Sequence, residues 1–390
     1  MKYVQLWKIL TCGLCLFFAQ CQDASRETVK STYKKIDPSY RDIQFIPGDS
    51  LRFTLSDNSY NEIKSFNYFQ DHGVEYMSFF DGRSSSINIY NFSTQVRVKK
   101  IKLKKWFKEK NIYKASVYIV NFDSIFITNQ KSLYLYDSIG TLKKDIAFEK
   151  RNDQYACFEN TQPAVLMGTT LYMGVRPWVT ETSFPALKNW KLLYAFDLLN
   201  SGNRQYYSLS ETYFHKLYGY NFLNYSYCFN NKGNFVFSFP ADTNIYETNL
   251  RDIHFAYQGK SRFQHEDIQA VPEQAIKNDK AYQEFRMRDS YGPIYFDPLH
   301  KRYLRLARQK INRDEYMAKA GIKRQSVIVF DENFKIIGES ELKGDFSFSS
   351  VFFTKDGSLY TRVDPKDEYA LHFIRLNYRE YPDKNQVTKK

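Results

Sequence analysis

The sequence predicts an all-β chain, a six-bladed β-propeller with a short helical insertion between blades four and five. Three observations predict it. The first is a hairpin unit. In Ser124–Gly140, SIFITNQKSLYLYDSIG, two short alternating apolar runs flank a polar Asn129–Ser132, and a second polar turn, Asp137–Gly140, follows. Apolar residues at period two, punctuated by Asn, Asp, Ser and Gly, read as antiparallel strands joined by tight turns. The second is recurrence. Comparable middle runs lie at Tyr76–Phe80, Ser124–Thr128, Thr170–Met173, Asn234–Phe239, Arg302–Ala307 and Ser358–Val363, with starts 48, 46, 64, 68 and 56 residues apart. A further run follows each of them, at Ile87–Asn91, Leu133–Asp137, Leu192–Asp197, Asn244–Thr248, Ser326–Asp331 and Leu371–Asn377. The third is composition: 32 Tyr and 33 Phe in 390 residues suit a chain dominated by strands. Turn residues agree, since Asp71-His-Gly73, Asn230-Asn-Lys-Gly233 and Lys355-Asp-Gly357 tolerate left-handed backbone. A repeat of ~40–50 residues holding about four short strands fits a propeller blade. Parallel β-helices use shorter repeats, and helical solenoids need 3.6-period faces that this chain lacks.

The chain begins with a predicted lipoprotein-type leader over residues 1–20. Lys2 and Lys8 flank its start, and Ile9–Ala19 is an apolar run too short for a bilayer-spanning helix, which needs ~20 residues. Leu16-Phe-Phe-Ala-Gln-Cys21 resembles a bacterial lipobox, with Gln20 where a small residue usually stands, so Cys21 is the expected lipidation site. The alternative is an ordinary cleaved leader. Cys12 and Cys15 lie inside the apolar run, which rules out a redox or zinc role for their CxxC spacing. Residues 21–42 are polar and aperiodic and read as a lipidated tether, 43–380 as the propeller, and 381–390 as a polar tail. Only Cys157 and Cys228 remain within the propeller, and two buried free thiols are expected there.

Blades set radially must close the ring or leave bare sheet edges. Leu51–Leu55 alternates like a strand ahead of the first hairpin and is expected to supply the outer strand of the last blade. Between the fourth and fifth units, Pro272–Arg288 reads as a short helix with proline at its start and Ala281 and Phe285 on one face. Just before it lies the basic, aromatic stretch Arg251–Arg262.

The lipobox-like cysteine, the Gly259-Lys-Ser261 segment, the helical insertion and the hairpin Pro293-Ile-Tyr-Phe-Asp-Pro298…Arg302-Tyr-Leu-Arg305 together resemble a family of Bacteroidota lipoproteins of unknown function, TolB-like six-bladed propellers. The resemblance covers roughly residues 21–380. It is most specific over Ile294–Arg305, where Tyr303-Leu304 stands in place of the family's two adjacent tyrosines. It implies a fold and a cell-envelope address, with no catalytic residues to carry over; the outer membrane is the expected site, its periplasmic or surface face left open.

The residues weigh against several chemistries. The six histidines, His72, His215, His254, His265, His300 and His372, show no HxxxH or HExxH spacing, and no G-x-S-x-G elbow or glycine-rich phosphate loop occurs. Thr354–Tyr360 is a hairpin turn rather than a sialidase Asp-box, and Asp364–Glu368 lacks the alternation of a calcium loop. The net charge is +13, falling by two to +11 once Lys2 and Lys8 leave with the leader. Arg97–Lys108 is the densest basic run and reads as an outer strand whose lysines blunt edge pairing. The expected function is an envelope-anchored, monomeric binding or scaffolding module for a protein, peptide or anionic glycan. It touches the membrane through its lipid and has no nucleic-acid partner, cofactor or metal. The alternative is a hydrolase or lyase acting on a glycan or lactone at the channel mouth. Tyr257, Lys260, Arg262, Phe263 and His265, on the insertion, are the candidate binding residues.

Overall fold

A computed structural model describes residues 30–380 apart from 56–58, 60–64, 107–114, 130–131, 149–153, 178–182, 319–320, 345 and 364–366. The leader, Cys21 and the tail at 381–390 lie outside the described residues. Two strands, β1 (Thr32–Lys34) and β2 (Arg41–Thr54), precede the repeats. One antiparallel sheet follows, of β3 (Phe66–Asp71), β4 (Val74–Asp81), β5 (Ser86–Asn91) and β6 (Arg97–Lys102). A second holds β7 (Ser116–Asn121), β8 (Ser124–Thr128), β9 (Ser132–Tyr136) and β10 (Leu142–Ala147). The third contains β11 (Gln154–Cys157), β12 (Val165–Met167), β13 (Thr170–Pro177), β14 (Lys191–Asp197) and β15 (Asn203–Ser208). The fourth is built from β16 (Ser226–Phe229), β17 (Phe235–Ser238), β18 (Asn244–Thr248) and β19 (His254–Gln258), with β1 on its edge. The last is an eight-stranded sheet of β20 (Ser290–Asp297), β21 (Arg302–Arg308), β22 (Gln325–Phe330), β23 (Ile336–Glu341), β24 (Phe346–Phe353), β25 (Leu359–Val363) and β26 (Ala370–Glu380), joined through β2.

The six predicted middle runs fall on β4, β8, β13, β17, β21 and β25, and the six that follow them on β5, β9, β14, β18, β22 and β26. These central strands are apolar on both faces because sheets pack against both sides of them. In β22, Ser326 through Phe330 are all buried. Four apolar clusters join neighbouring sheets. One links β5 and β8, another spans the second through fifth groups, and a third joins β21 and β22 to β24 and β25. The fourth packs Phe53 and Phe373 against Phe79 and Tyr90, so the last strands meet the first sheet.

Closure runs through β2, as the alternation of Leu51–Leu55 leads one to expect. It pairs antiparallel with β26 from Ile43↔Glu380 to Thr54↔Ala370, with a bulge between Pro47 and Ser50 where proline lacks an amide donor. Its first residues also pair parallel with β23. The tether reading of 21–42 needs correction at its C-terminal part. Thr32–Lys34 pairs parallel with β19, Lys34 Nζ lies 4.6 Å from the Phe255 ring, and β2 already begins at Arg41. The pairing is made by backbone on an open sheet edge, which a three-residue polar strand does not announce in its side chains.

Helices are short: α1 (Phe184–Asn189), α2 (Glu273–Lys277), α3 (Ala281–Arg286) and α4 (Arg313–Met317). The predicted insertion is present between β19 and β20, as two helices rather than one. Asp279 at φ 56° breaks it, and Pro272 stands as the cap of α2 instead of inside the helix.

Candidate functional site: a two-chambered channel

The first strands of successive groups face one another and are stitched by side chain to backbone. Asn67 Oδ1 accepts from the Ile119 amide at 2.5 Å and Ser226 Oγ from Ile294 at 2.9 Å, while Asn160 Oδ1, in the β11–β12 connection, accepts from the Phe66 amide of the first sheet at 3.1 Å. Between them run two chambers. The upper one has a volume of about 460 Å³ and takes lining from β3, β7, β12, β16, β20 and β24. Ten of its 21 lining residues are aromatic, including Phe66, Tyr118, Phe229 and Phe353, so the wall is mainly rings.

The lower chamber, about 350 Å³, is lined by Arg176, Arg308, Asn221, Asn224, Ser226, Ser349 and the Tyr291-Gly-Pro293 segment, with Phe285 of α3 at one side. On β16, β20 and β24 the lower-chamber residues precede the upper-chamber ones, so the chambers are stacked along the strands. An ion pair stands between them. Glu159, on the upper wall, accepts from Arg176 Nη2 at 2.8 Å, while Arg176 Nη1 donates to Asn224 Oδ1 at 2.6 Å. Burial is the largest influence and opposes the Arg176 charge, but the Glu159 carboxylate, together with Cys157 and Tyr225, outweighs it and raises its pKa.

Below the second chamber, Lys323 Nζ donates to the Phe285 and Arg288 carbonyls at 3.0 and 2.6 Å and to Ser290 Oγ at 2.9 Å. This lysine holds the C-terminal end of α3, which is how the insertion closes the chamber's side. Burial, helped by the Arg308 charge, pushes its pKa down to about 7.

The five predicted binding residues do not form one exposed patch. Tyr257 is a core residue: its ring stacks on Phe334 at 4.2 Å and its hydroxyl donates to Glu247. The expectation of contact area there is corrected, because β19 turns that face inward. Arg262 is a joint. Its Nη2 donates to Asp42 Oδ1 at 2.6 Å and the Glu339 carbonyl at 2.9 Å, and its Nη1 to the Tyr40 carbonyl, tying the insertion to β2 and β23. Buried Glu339 completes the joint by accepting from Ser261 Oγ, Ser326 Oγ and the Arg262 amide, which is where the Gly-Lys-Ser segment is fixed. Lys260 is half-buried, 3.7 Å from Asp267. Phe263 and His265 line a separate mixed-charge groove of about 780 Å³, beside the Lys310–Glu266 pair at 2.7 Å.

Arg97–Lys102 forms β6, the edge strand of its sheet, and residues 107–108 lie outside the described residues. Asp356 accepts from the Ser358 amide and hydroxyl in the β24–β25 hairpin, an ordinary turn. Cys157 and Cys228 are buried free thiols, and burial pushes Cys157 up to about 12. Among the described residues no three of His, Cys, Asp and Glu gather as metal ligands, and no helix is long and apolar enough to cross a membrane. The arginines of the lower chamber are the functional feature the sequence analysis missed. No local signal marked them: the charge inside the run Tyr303-Leu-Arg-Leu-Ala-Arg308 is Arg305, which lies outside the chamber, and Arg308 only closes the run.

A family model described as a domain of unknown function (DUF4221) matches residues 42–341. A crystal structure of a member of that family from Bacteroides vulgatus is 19% identical, with a TM-score of 0.72, covering 88% of this chain and 100% of that one. A second structure, from Bacteroides fragilis, is 8% identical with a TM-score of 0.51, covering 90% of this chain and 100% of that one. At these identities the likeness concerns the fold alone. No curated protein matches the sequence.

Proposed function

The chain belongs to the DUF4221 family, and from that premise we propose that it is a six-bladed, TolB-like propeller of the cell envelope serving as a binding or scaffolding module. Support for the blade number comes from dividing the eight-stranded sheet at β2. The chain then has six successive groups of antiparallel strands, with an apolar cluster between the last and the first. The binding reading rests on the upper chamber. Its aromatic wall offers ring faces to a sugar or to an aromatic side chain of a peptide. Glu159, the carboxylate on that wall, is held by Arg176 rather than poised as a free acid or base. A hydrolase or lyase would need several convergent acid–base groups there.

The test uses a photo-crosslinking residue at Leu166, on the chamber rim, in intact cells. A control carries it at Leu199, an exposed turn residue. Labelling of a glycan or peptide from position 166 and not from 199 is the expected result, and equal labelling from both sites overturns the reading.

Anchoring is part of the same proposal. Cys21 carries the lipid at the outer membrane, with more than one acyl chain, because a single chain binds only marginally. Cys21→Ala is expected to move the protein from membrane to soluble fractions. A mature N-terminus other than Cys21 would contradict this.

A further inference from the structure

The lower chamber contains a cation with no counter-charge. Arg176 is answered by Glu159 and Asn224. Arg308, across the same space, makes a single hydrogen bond among the described residues, from Nη2 to Ser349 Oγ at 3.3 Å. Among the described residues no carboxylate pairs with it, and Arg308, partly exposed, lines the chamber. The backbone is shaped to place it there. The β20–β21 register shifts between Tyr291 and Ile294, so Gly292 and Pro293 bulge out of the ladder. A Cβ on Gly292 would stand 2.6 Å from Arg308 Nη1, so only glycine lets the guanidinium lie against the strand. Buried arginines are normally paired or fully hydrogen-bonded. One left open beside a cavity has the form of a receptor for an anion.

We propose that the lower chamber is an anion subsite in which Arg308, oriented by Ser349, receives the carboxylate of an acidic ligand. Arg308 is the chamber-lining cation without a carboxylate partner among the described residues, and a single monoanionic carboxylate is enough to answer it. The planar guanidinium fork matches a carboxylate's two oxygens. The subsite deepens the binding-module reading, because the acid would be the charged end of a ligand in the same channel.

The test is a thermal melt of the mature full-length protein with sodium acetate replacing sodium chloride at equal ionic strength, up to about 100 mM, alongside a phosphate series. Acetate is expected to raise the melting temperature saturably in the parent and to bind Arg308→Met about tenfold or more weakly. In chloride alone, Arg308→Met is expected to melt no lower than the parent, since it removes an unanswered buried charge. A parent that does not respond to acetate, a response kept in Arg308→Met, or stronger stabilisation by phosphate each overturns the proposal. If Arg308→Met fails to fold, Ser349→Ala takes its place, with a several-fold weaker acetate response expected and an unchanged one contradicting. The Leu166 crosslink reads the upper chamber independently. Retained labelling with a failed acetate titration would remove the subsite and leave the binding module standing.

Discussion

Of the three arginines on strand β21, Arg305 and Arg308 lie three residues apart on opposite faces, and they meet opposite fates. Arg305 has no exposed surface. Its Nε donates to Ser238 Oγ at 2.9 Å, Nη1 to the carbonyls of Thr243 and Gly259, and Nη2 to those of Phe239 and Asp242, while its plane lies 3.8 Å from the Tyr291 ring. Arg308 has Ser349 and open space. Burial pushes both down to about 10, still cations at neutral pH. The same desolvation is therefore answered by the protein in one case and left unanswered in the other. The first region is a fastener between the fourth sheet and β21, and the second has the form of a site.

The comparison predicts a graded series. Arg305→Met keeps apolar volume but strands four carbonyls and a hydroxyl, each costing ~1–3 kcal/mol when buried without a partner. Urea unfolding should show a loss of about 4 kcal/mol or more, and a change below about 1 kcal/mol would mean that the cage is not the fastener. Phe53→Ala supplies an apolar yardstick on the closing strand. Phe53 is fully buried, 5.4 Å from Phe79 and 6.1 Å from Phe373, so about 3–5 kcal/mol should be lost. If its stability is unchanged, β2 does not close the ring. Arg262→Ala, at a partly exposed joint, should lower stability by about 1–3 kcal/mol while leaving ligand labelling at Leu166 intact. Lost labelling with parental stability would return Arg262 to the binding surface.

The pH series probes a further buried cation, Lys323, beside Arg308. Lys323 has a folded pKa of about 7 against 10.5 when free. Below pH 7 it is protonated in both states and its desolvation penalty is fully present. Between pH 7 and 10.5 the unfolded chain binds the extra proton, so stability rises with pH by an amount on the order of a few kcal/mol. Lys323→Met should remove that rise from the difference between the two proteins, measured by urea unfolding across the window. Parallel profiles would show that Lys323 stays charged throughout.

Strand positions were legible because their signal is local. Ser124–Thr128 and Asn244–Thr248 coincide with β8 and β18, and the glycine turns have the expected positive φ, 81° at Gly73, 78° at Gly233 and 80° at Gly357. Closure by Leu51–Leu55 was legible because alternation without a partner demands one. What stayed hidden depends on distant residues. Thr32–Lys34 is ordered by an edge more than 200 residues away, and Arg262 is a joint only because Glu339 and Asp42 come to it. Arg308 looks no different in sequence from any strand-end arginine. Its meaning comes from the bulge at Gly292 and from the absence of a carboxylate opposite, neither of which is a property of β21.

The most direct measurement of the two-arginine account is a paired urea titration of Arg305→Met and Arg308→Met in carboxylate-free chloride buffer. The account predicts a large fall in midpoint for the first and an unchanged or higher midpoint for the second. Equal losses in both would show that Arg308 is a structural cation like its neighbour, and that the chamber beneath the ion pair is not a site.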